Sequence, residues 1–207
     1  MSTIIEPARV PATSACEVPA EQFWRISVEN YHEMLRAGII QSGDPVELLE
    51  GWLVQKMAKN RPHVVAVRLI RAALEAILPG DWNTLIQDPI TLVDSEPEPD
   101  VTLVRGCPRD FLDHHPRPTE IGLVVEVAVA SLLRDRSLKK RIYARAGITE
   151  YWIVNLKDRQ IEVYSSPNGS ADEPDYLQQQ TVTSEQLVTL QLDGHSIGQI
   201  AVSDLLP

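Results

Sequence analysis

The sequence has few cysteines, the residues that form disulfides or zinc sites in small proteins. Its 207 residues include only two cysteines, Cys16 and Cys107, which have no CxxC spacing and fall in predicted loops. This argues against both a zinc site and a disulfide scaffold. No stretch reaches the roughly 18 consecutive apolar residues of a membrane span. The first residues also lack the basic and apolar regions of a signal peptide, so we expect a cytoplasmic protein.

Several catalytic signatures are missing as well. The chain has no GxSxG elbow of a serine hydrolase, and neither a Walker A nor a GxGxxG loop for nucleotide phosphates. Positive charge is scarce, because 19 Lys and Arg residues face 29 Asp and Glu residues and leave a net charge of -10. This balance argues against nucleic-acid binding through the whole surface, but it allows a local basic site.

The sequence does contain an alternation of helix and strand patterns. Its order predicts an α/β fold in which one sheet is flanked by helices. Residues 1–24, rich in Pro, Ala, Ser and Thr, are expected to form a mobile arm ahead of a single domain over 25–207. The predicted elements are a helix over 27–38, a hairpin over 44–58, a helix over 61–80, strands over 82–87, 99–104 and 121–127, a helix over 131–147, two strands over 149–165, and short strands with a final helical turn after 175.

Two acids in the predicted strands are candidates for metal ligands. Asp100 ends the proline-stiffened run "SEPEPD" at the entry to an apolar strand, and Glu126 stands among valines in "LVVEVAV". If the two strands are neighbours, both carboxylates converge at one end of the sheet, where they suit Mg²⁺. Asp100 is alternatively a turn-capping acid. Glu126, which is costly to bury unpaired, is alternatively the partner of a helix Lys or Arg.

The helix over 131–146 is basic on an acidic chain. It carries six Lys and Arg residues against the single acid Asp135, and such a run can simply be a solvated face. Asp135, Lys139 and Tyr143 follow at i, i+4 and i+8 and are therefore expected to share one side of the helix. A lysine turned toward the end of the sheet would stabilise the charge that develops on a phosphate during phosphoryl transfer.

Three segments together resemble a known family. "ELLEGWLV", "PEPDVTLV" and "LVVEVAVASLLRDRSLKKRIYARAGITEYWIV" are similar to the Uma family of bacterial restriction endonucleases, within the PD-(D/E)XK nuclease-like superfamily. The resemblance runs from about residue 27 to 164 and is densest between 135 and 152. It implies a restriction-endonuclease-like fold, with a central mixed β-sheet flanked by helices, an N-terminal helix and hairpin, and extra C-terminal strands.

The resemblance also implies roles for particular residues. Asp100, Glu126 and the carbonyl of Val127 correspond to metal ligands. Ala128 stands where the superfamily usually has lysine, and Lys139 on the following helix is its implied replacement. Glu47 matches an acid near the same site. The roles of His63, which matches a family histidine at the start of the first core helix, and of Tyr143 stay open.

The leading interpretation is a Mg²⁺-dependent endonuclease that hydrolyses phosphodiester bonds in nucleic acid, with DNA as the preferred substrate. Mn²⁺ is a possible substitute for Mg²⁺. The family implies a homodimer, because an enzyme that cuts both strands needs two active sites. Two alternatives stay open: a nuclease-fold module without turnover that serves binding or assembly, and a phosphodiesterase for a small phosphate ester.

Overall fold

The computed structural model describes residues 23–41, 43–169 and 171–207, so residues 1–22 of the predicted arm lie outside the described residues. The helices are α1 (Val28–Arg36), α2 (Arg61–Glu75), α3 (Leu132–Arg134) and α4 (Lys140–Arg145), and Asp135–Lys139 form a π turn between the last two. The strands are β1 (Val46–Leu49), β2 (Trp52–Gln55), β3 (Trp82–Leu85), β4 (Val101–Arg105), β5 (Ile121–Ala128), β6 (Glu150–Asn155), β7 (Gln160–Pro167), β8 (Tyr176–Thr183), β9 (Leu187–Leu192) and β10 (His195–Ala201).

The N-terminal helix and hairpin form as the sequence predicts. The hydroxyl of Ser27 accepts a hydrogen bond from the backbone N–H of Asn30, which caps α1. In the turn between β1 and β2, Glu50 and Gly51 both have positive φ, at 49° and 78°. Two such residues are what a two-residue hairpin turn requires.

The central sheet confirms the predicted fold class. Its strand order is β3-β4-β5-β6-β7-β8. Only the β5–β6 pair is parallel; the other neighbours are antiparallel. A parallel pair needs a crossover connection, and the segment from α3 to α4 supplies it.

Strand β5 is buried along its whole length because both faces of the sheet are covered. Leu123, Val125 and Val127 pack on one face with α2 and the β9–β10 hairpin. Val124 and Ala128 pack on the other face with α4. Since side chains alternate along a strand, Glu126 faces α4. No helix of the described residues is long and apolar enough to cross a membrane.

The predicted helix over 131–147 departs from expectation in its middle. Three segments replace one regular helix, and the π turn carries Asp135 and Lys139, both buried. A π turn adds a residue to the local repeat and often occurs at functional sites. The helix is therefore not regular, but Lys139 and Tyr143 still share one side, since both donate to Glu126, and Asp135 is buried like them.

A buried acid away from these residues makes the stability of the fold depend on pH. Glu150 on β6 is 5% exposed, and its carboxylate accepts a hydrogen bond from the indole N–H of Trp152, 3.1 Å away. Burial raises the pKa of Glu150 from 4.5 to about 7. Between pH 4.5 and about pH 7 the folded protein thus retains a proton that the unfolded chain loses. The free energy of unfolding therefore falls as the pH rises through this range.

We predict that Glu150→Gln removes this fall. Relative to the variant, the wild type should lose up to about 3 kcal/mol of unfolding free energy between pH 5 and pH 8. Urea unfolding of both proteins at several pH values measures the difference. Identical pH dependence in the two proteins would contradict the assignment of the shift to Glu150.

Candidate active site

One cleft at the end of the sheet brings the predicted site residues together. Glu47, Asp100, Glu126, Val127 and Lys139 all line it. The β4–β5 register places Asp100 and Glu126 side by side there, because Val101 pairs with Val125 and these acids are the next residues beyond that pair. The expected convergence of the two carboxylates is therefore present.

Protein donors hold Asp100 in place. Its Oδ1 accepts a hydrogen bond from Gln87 Nε2 at 3.0 Å. Its Oδ2 accepts two more, from His63 Nε2 at 3.0 Å and from the backbone N–H of Val127 at 2.9 Å. Burial alone would raise the pKa of Asp100, but these donors outweigh it and lower the pKa. Asp100 is thus an ionised, oriented carboxylate, and its partners go beyond those of a turn cap.

Glu126 is both a cleft residue and the partner of a helix lysine. Its Oε1 accepts hydrogen bonds from Lys139 Nζ at 2.8 Å and from the hydroxyl of Tyr143 at 2.7 Å. Burial raises the pKa of Glu126 to about 8, against the opposing effect of Lys139. Tyr143, whose role the sequence left open, is a donor that orients this carboxylate.

Lys139 contacts carboxylates from two strands, β5 and β1, and carries a positive charge. Its Nζ is 2.8 Å from Glu126 Oε1 and 3.3 Å from Glu47 Oε2. Burial opposes protonation of Lys139, but the surrounding carboxylates Glu126, Glu47 and Asp135 raise its pKa overall. A lysine held protonated cannot act as a general base. It can stabilise negative charge, and one of its three N–H donors is not used by these two contacts.

The hairpin strand β1 supplies Glu47. Besides Lys139, its Oε2 accepts a hydrogen bond from the backbone N–H of Glu98 at 3.3 Å. Its Oε1 lies 3.8 Å from a guanidinium nitrogen of Arg134. Glu47 therefore belongs to the network around the cleft, through Lys139.

Two cleft residues were not predicted as part of the site. Asp135 on the π turn is 1% exposed, its Oδ2 has no hydrogen-bond partner among the described residues, and burial raises its pKa. Its position as the only acid in a basic helix was the available signal. Gln87, which binds Asp100, was predicted only as the last residue of a strand over 82–87; the strand ends at Leu85, and Gln87 lies beyond it with a positive φ.

The charge balance of the cleft fits a divalent cation. Four buried carboxylates, those of Glu47, Asp100, Glu126 and Asp135, line the cleft together with Lys139, the only buried Lys or Arg of the described residues. Uncompensated buried charge is costly, and a bound cation relieves this excess. Among residues 23–41, 43–169 and 171–207, no three His, Cys, Asp or Glu side chains are grouped closely enough to hold a metal by themselves.

Asp100, Glu126 and the carbonyl of Val127 are the groups in the cleft that could hold a cation together with water. Ala128 directs its carbonyl to β6, where it accepts from Leu156 N–H at 3.1 Å. Backbone groups alternate in direction along a strand, so the N–H and carbonyl of Val127 both face Asp100. Hydrogen bonds occupy both lone pairs of Asp100 Oδ2 and of Glu126 Oε1. The free acceptors are the lone pair of Asp100 Oδ1 that Gln87 does not use and, once its carboxyl has lost its proton, Glu126 Oε2. Mg²⁺ commonly takes only one or two carboxylates and completes its shell with water.

Comparisons with known proteins bear on this chain as follows. The family model Uma2, described as "Putative restriction endonuclease", matches residues 28–197. No curated protein matches the chain. The crystal structure of a putative nuclease belonging to DUF820, from Anabaena variabilis ATCC 29413, is similar with a TM-score of 0.64 and 12% sequence identity. The match covers 87% of this chain and 97% of that chain, and it shows that the two share a fold.

We predict that Lys139→Met destabilises the protein strongly. Removing the lysine leaves Glu126 and Glu47 buried without their cation, which should cost about 3–5 kcal/mol of unfolding free energy at pH 8. The loss should be smaller at pH 6, because burial raises the pKa of Glu126 to about 8 and its protonation then relieves part of the excess charge. Urea unfolding at both pH values measures the effect.

Lys140→Met is the matched control for this prediction. Lys140 is the next residue, and its Nζ lies 2.8 Å from a carboxylate oxygen of Asp175, whose side chain is half exposed. A pair at the surface with one half-exposed partner contributes about 1 kcal/mol, far less than a fully buried pair. Equal losses in the two variants would show that the buried network around Lys139 is not a special contributor to stability.

Proposed function

Because the chain belongs to the Uma2 family, whose members are described as putative restriction endonucleases, we propose that it is a metal-dependent endonuclease that hydrolyses phosphodiester bonds in DNA. The observation that carries this proposal is the meeting of Asp100, Glu126 and Lys139 in one cleft. Two carboxylates with open oxygens and a protonated lysine beside them are a donor set that suits phosphoryl transfer.

The chain's own residues would divide the work in the following way. Asp100, Glu126 and the carbonyl of Val127 would hold Mg²⁺ or Mn²⁺, which would lower the pKa of water and polarise a phosphoryl oxygen. His63, Gln87 and Tyr143 keep the ligand carboxylates oriented. Lys139 offers its remaining N–H to the phosphate and stabilises the charge that develops as the P–O bond breaks.

The cleft is neither the closed pocket expected for a small ester nor the basic trough expected for a polymer. A second cavity adjoins it and shares Lys56, Met57, Lys59, Gln87 and Glu98 with its lining, so the depression continues beyond the site. The continuation carries four acids, Asp44, Asp88, Glu96 and Glu98, and is not a basic trough. Phosphate contacts are therefore expected at the rim of the cleft, where Lys59 and Arg134 lie.

The homodimer and the cytoplasmic location stay predictions. One feature supports pairing of two copies: β8 is an edge strand of eight residues, "YLQQQTVT", without any charged side chain, and no described strand pairs with its outer side. Natural edge strands usually carry charges that prevent association. A strand without them suits a second copy, and two copies would supply the two active sites that double-strand cleavage needs.

The decisive experiment is cleavage of supercoiled DNA with Mg²⁺ or Mn²⁺. We predict nicking by the wild type and a loss of at least about a hundredfold in Asp100→Asn and Glu126→Gln, since each variant removes a metal-ligand charge worth several kcal/mol in the transition state. Glu75→Gln is the control, because Glu75 pairs with Arg71 on the exposed surface of α2. Its activity should match that of the wild type.

Other outcomes would favour other functions. Activity that survives both cleft substitutions would exclude Asp100 and Glu126 as ligands. Hydrolysis of a small phosphodiester such as bis-p-nitrophenyl phosphate, without nicking of DNA, would favour the small-ester enzyme. No hydrolysis together with no Mn²⁺ uptake in calorimetry would favour the module for binding or assembly.

Rim contacts to phosphates predict a specific salt dependence of DNA binding. With Ca²⁺ in place of Mg²⁺, the combined change Lys59→Met and Arg134→Met should reduce the slope of log affinity against log salt by about 2, close to 0.9 per lost phosphate contact. Fluorescence anisotropy in a NaCl series measures this slope. Arg109→Met, an exposed change beyond the far end of β4, should leave the slope unchanged. Equal slopes in all three proteins would place the DNA elsewhere.

A further inference from the structure

The side chain of Gln87 bridges the rim of the cleft and the buried carboxylate of Asp100. Its Oε1 accepts a hydrogen bond from Lys59 Nζ at 2.6 Å, and its Nε2 donates to Asp100 Oδ1 at 3.0 Å. The amide can take only this orientation. A flipped amide would set its N–H groups against the ammonium and its oxygen against the carboxylate.

The backbone of Gln87 is held in an uncommon conformation to make this bridge. Its φ is +58°, in the left-handed region that side-chain-bearing residues rarely adopt. Glycine would adopt this φ without strain, but it would provide neither hydrogen bond. Strain of this kind persists where the surrounding structure requires it and is concentrated at functional sites.

Lys59 differs from the other lysine at the same rim. The ammonium of Lys56 is neutralised by Glu98, with both carboxylate oxygens within 2.9 Å. Lys59 is exposed, and its Nζ donates to the neutral amide of Gln87; no carboxylate of the described residues lies within 4.0 Å of its Nζ. The neutral contact fixes the position of Lys59 without cancelling its charge, which stays available to a phosphate.

We propose that Gln87 is a positioning residue that sets the distance between a phosphate-binding cation, Lys59, and a metal-ligand carboxylate, Asp100. The inference rests on the proposed function and specifies how that site would align its substrate. A phosphate of the DNA backbone held by Lys59 is placed in register with the cation held by Asp100. The amide of Gln87 thus serves as a spacer that couples substrate binding to the metal site.

A double-mutant cycle in cleavage rate tests this coupling. Gln87→Gly keeps the backbone conformation accessible while it removes both hydrogen bonds, and circular dichroism checks that the fold is retained. We expect Gln87→Gly to lower kcat by at least about tenfold, as changes in groups that orient metal ligands do. Lys59→Met should cost about fivefold in the wild type and less than about twofold once Gln87 is glycine, because groups that act as one unit are not additive.

Lys56→Met is the matched control for the cycle. Lys56 lies three residues from Lys59 in the same cleft, but its Nζ pairs with Glu98 and makes no hydrogen bond to Gln87. The factor by which Lys56→Met lowers the cleavage rate should therefore multiply with the factor for Gln87→Gly. If the losses of Lys59→Met and Gln87→Gly also multiply, the proposed coupling is wrong.

Mn²⁺ binding by calorimetry provides a readout without turnover. We expect Gln87→Gly to weaken Mn²⁺ binding about tenfold, because Asp100 Oδ1 loses its donor, and Lys59→Met to leave the affinity unchanged. Wild-type binding that Gln87→Gly does not alter would overturn the inference and leave the nuclease proposal standing. A wild type that binds no Mn²⁺ and cuts no DNA would overturn both.

Discussion

The buried ion pair between Lys139 and Glu126 is the interaction on which the cleft depends. It joins the π turn to the central strand β5, and the second contact of Lys139, to Glu47, adds the N-terminal hairpin. Three separate segments of the chain therefore meet at one ammonium group. The arrangement leaves more carboxylates than cations in the cleft. Removing a partner from a buried pair costs far more than the pair itself contributes, so the network is fixed once it has formed.

A second ion-pair network fixes the hairpin from outside. Arg141 on α4 donates two hydrogen bonds to the carboxylate of Glu50 in the β1–β2 turn. Arg145, one helical turn later, contacts Glu50 and also Asp94. The basic residues of this helix therefore have different roles. Arg141 and Arg145 hold the hairpin that carries Glu47, whereas Lys139 faces the cleft.

Much of the fold and part of the site followed from the sequence because they depend on short-range patterns. An apolar strand interrupted only by Glu126 indicates burial on both faces. Asp100, at the entry of the preceding strand, then lies beside Glu126 because the two strands are neighbours. The π turn could not be predicted, because its extra residue is stabilised by tertiary burial of Asp135 and Lys139 and not by local propensity. Gln87 escaped notice for a similar reason. Its role depends on a left-handed backbone and on two partners from distant segments.

The alternation of β5 determines which sequence changes this protein can survive during evolution. Its odd-numbered residues from Leu123 to Val127 pack against α2, whereas Glu126 points to α4. Exchange of one aliphatic residue for another along β5 keeps this division. Insertion or deletion of a single residue before Glu126 would turn its carboxylate into the apolar layer beside α2. Divergence in this strand is therefore expected to proceed by substitution at constant length, and length variation is expected in the loops.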